Sequence, residues 1–141
     1  ILHRAGVEGE MAVFFDWGGY VIWRLGPRIR VSIDPRRETV YSAEAIAANL
    51  AWTLGEPAGD VLVAAPVSLA LVAPAWPAFA RLRESGAWVL AHADATSALF
   101  VRAGAPQAGP VLDAARGAAP GAAPCLAGHP PAGGAQPRVA D

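Results

Sequence analysis

From residue 61 to residue 80 the chain runs for twenty residues without a charged side chain, and roughly twenty apolar residues suffice to cross a bilayer. What this stretch becomes decides between a membrane segment and the interior of a water-facing fold. Pro66, Pro74 and Pro77 interrupt it. A continuous helix would lose a backbone donor and clash at each proline ring. A buried strand over 61–64, a turn, and a helix entered at Pro74 put every proline where the backbone tolerates it. The stretch therefore reads as core.

The remainder of the first 104 residues supports an α/β reading. A short apolar run over 12–16 ends at Asp16, and 17–25 can form a helix that stops at Gly26-Pro27. Over 29–34, Ile29, Val31 and Ile33 alternate with Arg30, Ser32 and Asp34, the period of a half-buried strand, closed by Pro35. After Ser42, a suitable N-cap, Ala43, Ile46, Ala47, Leu50, Ala51 and Leu54 recur at helical spacing until Gly55. A helix over 75–84 would bury Trp76, Phe79 and Leu82, and strands over 87–92 and 97–102 flank a tight turn at Asp94-Ala95-Thr96. Strands linked by crossover helices imply a small, mostly parallel sheet with flanking helices, closed by a C-terminal antiparallel hairpin whose last strand is the edge.

Composition changes at residue 105. The final 37 residues hold 12 alanines, 7 prolines and 6 glycines and no aromatic residue, too little large apolar surface to offset the entropy of ordering. The expected organisation is an α/β domain over 1–104 and a disordered tail over 105–141. The chain opens at Ile1 with no charged and apolar leader, and reads as part of something longer.

Eleven basic against twelve acidic residues leave a net charge of -1, which does not supply the basic footprint that nucleic-acid binding needs. Every basic residue is arginine, so lysine Schiff bases and a phosphate-loop lysine are excluded. Cys125, with His3, His92 and His129, offers no cluster at metal-ligand spacing. No metal or cofactor is expected. Ser68 lacks a base that the pattern can place beside it, and His92 alternates with Leu90 and Trp88 as a sheet histidine does. No catalytic residue is assigned.

Two clusters remain as candidate binding residues. Phe14-Phe15-Asp16-Trp17-Gly18-Gly19-Tyr20 sets an acid among aromatics where a strand hands over to a helix, the edge at which α/β ligand sites form. Asp16, Trp17 and Tyr20 suit sugar hydroxyls, amides or a peptide, while Asp16 could equally cap the helix with the aromatics as core. Asp34, Arg36, Arg37 and Tyr41 end the next strand. If the two strands are parallel neighbours, both acids emerge on one rim with an arginine for an anionic group; the plainer reading is a proline turn with solvated arginines.

The segment VFFDWGGYVIWRLGPRIRVSIDPRRETVYS, with VLVAAP, AWVLAHAD and ALFVR further on, resembles the soluble C-terminal domain of bacterial polytopic membrane proteins of the polyprenyl-phosphate-dependent glycosyltransferase class. There a Trp-Gly-Gly-Tyr-Leu-Ile-Trp-like helix precedes a strand ending Ile-Asp-Gly-Arg, with a tyrosine a few residues on. Here Pro35 replaces the glycine. Asp16 and Gly18 also match a Trp-Trp-Asp-Tyr-Gly motif of oligosaccharyltransferase catalytic subunits, whose aromatic positions Phe14, Phe15 and Trp17 would echo. The resemblance implies an extracytoplasmic domain joined to a membrane domain absent from this chain. That domain would assist in binding an acceptor or a polyprenyl-phosphate sugar and be inactive alone. The alternative is a free-standing α/β ligand-binding or protein-interaction domain.

Overall fold

The computed structural model describes residues 1–36 and 39–118. Five strands, β1 (Gly9–Val13), β2 (Ile29–Val31), β3 (Leu69–Val72), β4 (Trp88–Ala93) and β5 (Ala98–Arg102), form one sheet in the order β2-β1-β3-β5-β4. β1 is parallel to both β2 and β3, and β5 is antiparallel to β3 and β4. The fold is thus α/β, with a parallel part and an antiparallel hairpin at one edge. The reversed strand, however, is not the edge. Within the edge hairpin β5 is inserted between β3 and β4, and β4 is outermost.

Helices cover both faces. The helices α1 (Leu2–Ala5), α2 (Phe15–Leu25) and α5 (Ala108–Arg116) meet a cluster built on Met11, Val13, Leu69, Leu99 and Val101. On the other face α3 (Ala43–Thr53) and α4 (Pro77–Glu84) meet Ala12, Ala70, Val72, Ala98 and Phe100, with Trp52, Leu82 and Trp88 filling the layer. Consecutive strand residues alternate between the two clusters, as a sheet covered on both sides requires. Among the described residues no helix is long and apolar enough to cross a membrane.

Several expectations need correction. Residues 61–64 are not a strand: Pro57–Val63 is a 3-10 helix, and the strand lies beyond Pro66 at Leu69–Val72. Only the later window can pair on both sides, with Met11–Val13 and with Ala98–Val101. The first strand begins at Gly9, earlier than residue 12, and α2 begins at Phe15. The second strand stops at Val31, because Asp34 leaves the ladder to make a buried turn. Trp76 precedes α4 as its N-cap residue instead of lying within it.

The α3 helix forms as its pattern says, with Ser42 Oγ accepting from the Ala45 N–H at 3.3 Å, but it is rotated about its axis. Asn49, Trp52 and Thr53 are buried while Leu50 and Leu54 are half exposed. A polar tether at Asn49 and the bulk of Trp52 outweigh two leucines.

The expected tail boundary is also wrong. α5 lies inside the segment assigned to the tail, and its Val111 is fully buried in the first cluster. Arg4 fastens its end, donating to the carbonyls of Ala114 at 3.1 Å and Gly117 at 3.2 Å. One buried valine and two capped carbonyls order a segment whose average composition looked unfoldable. Residues 119–141, with Cys125 and His129, lie outside the described residues.

Candidate binding rim at the carboxyl ends of the parallel strands

Because β1 and β2 run parallel as neighbours, the chain leaves both at one edge, and Asp16 and Asp34 are carried to that edge three residues later. Their surroundings then differ sharply. Asp34 is 2 % exposed and its carboxylate is surrounded by donors. Oδ1 accepts from the Arg36 backbone N–H at 3.0 Å and from Arg36 Nε at 2.9 Å. Oδ2 accepts from Arg36 Nη2 at 2.6 Å and from the Tyr41 hydroxyl at 2.9 Å.

A carboxylate gripped by a forked guanidinium strongly favours its charged form. The Arg36 guanidinium holds the Asp34 carboxyl well below the usual carboxylate range, against burial, which pushes the other way. Arg36 is raised in turn by Asp34. Burial, then the hydrogen bond donated to Asp34, pushes Tyr41 upward. Arg36, Tyr41 and Asp34 therefore satisfy one another and knit the turn after β2. Arg36 spends its Nε and Nη2 on Asp34 while its side chain stays exposed, and Arg37 lies outside the described residues.

The glycine pair has a packing explanation. A Cβ on Gly18 would stand 2.0 Å from the Ile33 carbonyl oxygen and 2.8 Å from Asp34 Cα, so α2 lies directly on the backbone of the turn that Asp34 organises. Gly19 has room: its Cβ would be 3.4 Å from Pro35 Cδ. Only the first glycine is required by close approach.

The aromatic cluster divides in two. Trp17 stacks on Trp76 at 5.3 Å between ring centroids, and Phe14 meets Trp76 edge-on at 4.9 Å and Phe15 at 4.2 Å. These half-buried rings close the rim over the ends of β1 and β3. Beneath them the buried Asn49 donates to the Val13 carbonyl at 2.8 Å and accepts from the Phe15 N–H at 3.3 Å, fixing the strand-to-helix corner. Tyr20 and Trp23 instead face solvent, 49 % and 72 % exposed, with ring centroids 6.0 Å apart.

Asp16 lies in the first turn of α2 and is exposed. The N-cap position belongs to Phe14, which makes no side-chain cap, so Asp16 is not a capping residue, although its charge suits the positive end of the helix. Its carboxylate has no side-chain partner among the described residues. Positions 16, 20 and 23 follow helical spacing and form one outward stripe, Asp16-Tyr20-Trp23. The comparisons with known proteins add nothing to this. No family model matches the chain, and neither a curated protein nor a solved structure matches it.

Trp23, Trp76 and Asn49 belong to this rim although the sequence pattern did not single them out. Trp23 was legible as the i+7 partner of Asp16. Asn49 showed as a polar residue inside an apolar helix pattern, whereas Trp76, expected as core of the helix over 75–84, reaches the rim from a loop some sixty residues downstream. No group of three metal-ligating side chains gathers among the described residues.

Proposed function

We propose that this chain is a non-catalytic binding domain of a glycosyltransferase-like membrane protein, on the extracytoplasmic side, which helps to hold an acceptor or a polyprenyl-phosphate sugar. One observation carries the reading: the exposed stripe Asp16-Tyr20-Trp23, whose acid has no side-chain partner among the described residues. A sugar presents apolar ring faces bordered by hydroxyls. Exposed aromatic rings offer apolar surface with a polar edge, and a carboxylate accepts hydroxyl hydrogen bonds. The other acid is committed to the fold, so among the described residues the rim has binding groups but no pair of free carboxylates for acid–base chemistry. The partners in this reading are the parent's membrane domain and the sugar, with no cofactor.

The test is titration of the domain with a panel of short oligosaccharides, followed by Trp fluorescence and by amide shifts of 16–24. Saturable binding that weakens at least ten-fold in Asp16→Asn and in Trp23→Ala, with unchanged melting curves, supports the reading. Binding by no sugar, or binding indifferent to both substitutions, rejects it. In the intact parent protein, Asp16→Asn should depress sugar transfer while leaving the domain folded.

A further inference from the structure

We infer that the cleft floored by Leu71 binds an amphipathic anion, a hydrocarbon chain carrying one negatively charged head. β3 is the middle strand of the sheet, and a leucine facing the helices from such a strand is ordinarily covered. Val21 of α2 joins Met11 and Ile29 in the core on one side. On the other, Val111 of α5 joins Leu69 and Val101, which pair directly at the start of β3. Two residues further along, Leu71 pairs with Leu99, and there the cover by the described residues is incomplete. Leu71 is only half-buried in the centre of the sheet. The gap is a cleft of about 740 Å³ between α1, α2 and the β4–β5 turn, a size suited to a small ligand.

The mouth of this cleft carries more free positive than negative charge. Arg24, His3, His92 and Asp94 stand around it, with Arg4 and Tyr20. Asp94 is already used, accepting from the backbone N–H groups of Thr96 at 2.8 Å and Ser97 at 2.7 Å and facing His92 at 3.8 Å. Arg4 is spent on the end of α5. Arg24 has no carboxylate partner among the described residues; its guanidinium lies 5.3 Å from the centre of the Trp23 ring. An apolar floor beside an exposed arginine that has no carboxylate partner among the described residues is complementary to a chain with an anionic head. This cleft adjoins the sugar stripe, sharing Tyr20 with it and meeting it where Arg24 lies against Trp23.

The experiment is calorimetric titration of the chain with dodecyl phosphate, dodecanoate and uncharged dodecanol, all below micelle formation. The expected result is saturable one-to-one binding of the anions and binding of dodecanol weaker by about ten-fold, the scale of one charge-assisted contact. Arg24→Glu, a surface change that spares the fold, should erase the preference for anions. Leu71→Gln should weaken all three ligands and leave oligosaccharide binding intact, which separates this site from the stripe. Phosphate favoured over carboxylate identifies a phosphate-headed lipid, and parity identifies a fatty acid; both uphold the inference. Equal affinity for dodecanol, no binding, or sedimentation as a dimer that shields Leu71 would overturn it.

Discussion

Exchanging Gly18 and Gly19 for alanine, one at a time, should give effects of opposite sign from the same chemical change in adjacent residues. Both lie in α2, where alanine exceeds glycine in helix propensity by about 1 kcal/mol. On propensity alone both variants would be stabilised. At position 18 the new methyl would stand 2.0 Å from the Ile33 carbonyl oxygen and 2.8 Å from Asp34 Cα. Both are backbone atoms, and neither can swing aside. The helix must withdraw by about 1 Å, which opens the contact with a fully packed turn and loosens the Asp34–Arg36 pair above it. Overpacking of this kind costs ~1–3 kcal/mol, and backbone against backbone belongs at the upper end, so the net loss is about 2 kcal/mol after the propensity gain. For a domain of this size that lowers Tm by on the order of 10 °C. At position 19 the methyl meets Pro35 Cδ at 3.4 Å, ordinary contact, so the propensity gain survives and Tm should hold or rise by a few degrees. Differential scanning calorimetry on the two purified variants decides. If Gly18→Ala melts with Gly19→Ala, the glycine is not there for close packing.

Three further outcomes follow from the same geometry. The folded-state carboxyl of Asp34 is held below its unfolded value, so its stabilisation is present above about pH 4 and is lost as the pH falls below that. The melting-temperature gap between wild type and Asp34→Asn should therefore be widest near pH 7 and shrink toward pH 3; a constant gap contradicts the assignment. Asn49→Ala removes the buried donor to Val13 and the acceptor for Phe15 and should cost ~1–3 kcal/mol in urea unfolding; a change under half that would show the tether to be idle. Limited proteolysis should leave a core that extends through Arg116, and Val111→Asp, which buries a charge in the first cluster, should expose 105–116 to cleavage before the rest; a core ending near Arg102 in wild type would refute the docking of α5.

What the sequence disclosed tracks how local each determinant is. The α3 helix was legible because Ser42 and the apolar spacing lie within a few residues, yet its buried face was misread, since Asn49 answers to Val13, in a strand far back along the chain. The apolar run reads as a strand at 61–64, and pairing with β1 and β5 places it at 69–72 instead. The turn at Asp34 was located correctly, but its arginine was read as available. Only the three-dimensional fold shows the guanidinium bent back onto its own neighbour. Asp16, Trp17 and Tyr20 read as one cluster in the sequence, but Trp17 packs into the rim while Asp16 and Tyr20 face solvent. Trp76, which stacks on Trp17, arrives from another strand end. Average composition hid α5, because one buried valine and an arginine from the other end of the chain suffice to dock it.

The placing of β5 between β3 and β4 governs the order in which this sheet can be assembled. Only the β4–β5 hairpin closes over a short loop. Every other pairing joins segments separated by a helix or more, and each must meet a larger loop-closure cost before its contacts reward it. β3 has nothing to pair with until either β1 or the finished hairpin reaches it, so it acts as the seam between two half-sheets made separately. Pulsed hydrogen exchange should find the amides of 88–102 protected first and those of 69–72 last among the strands, the reverse of their order along the chain.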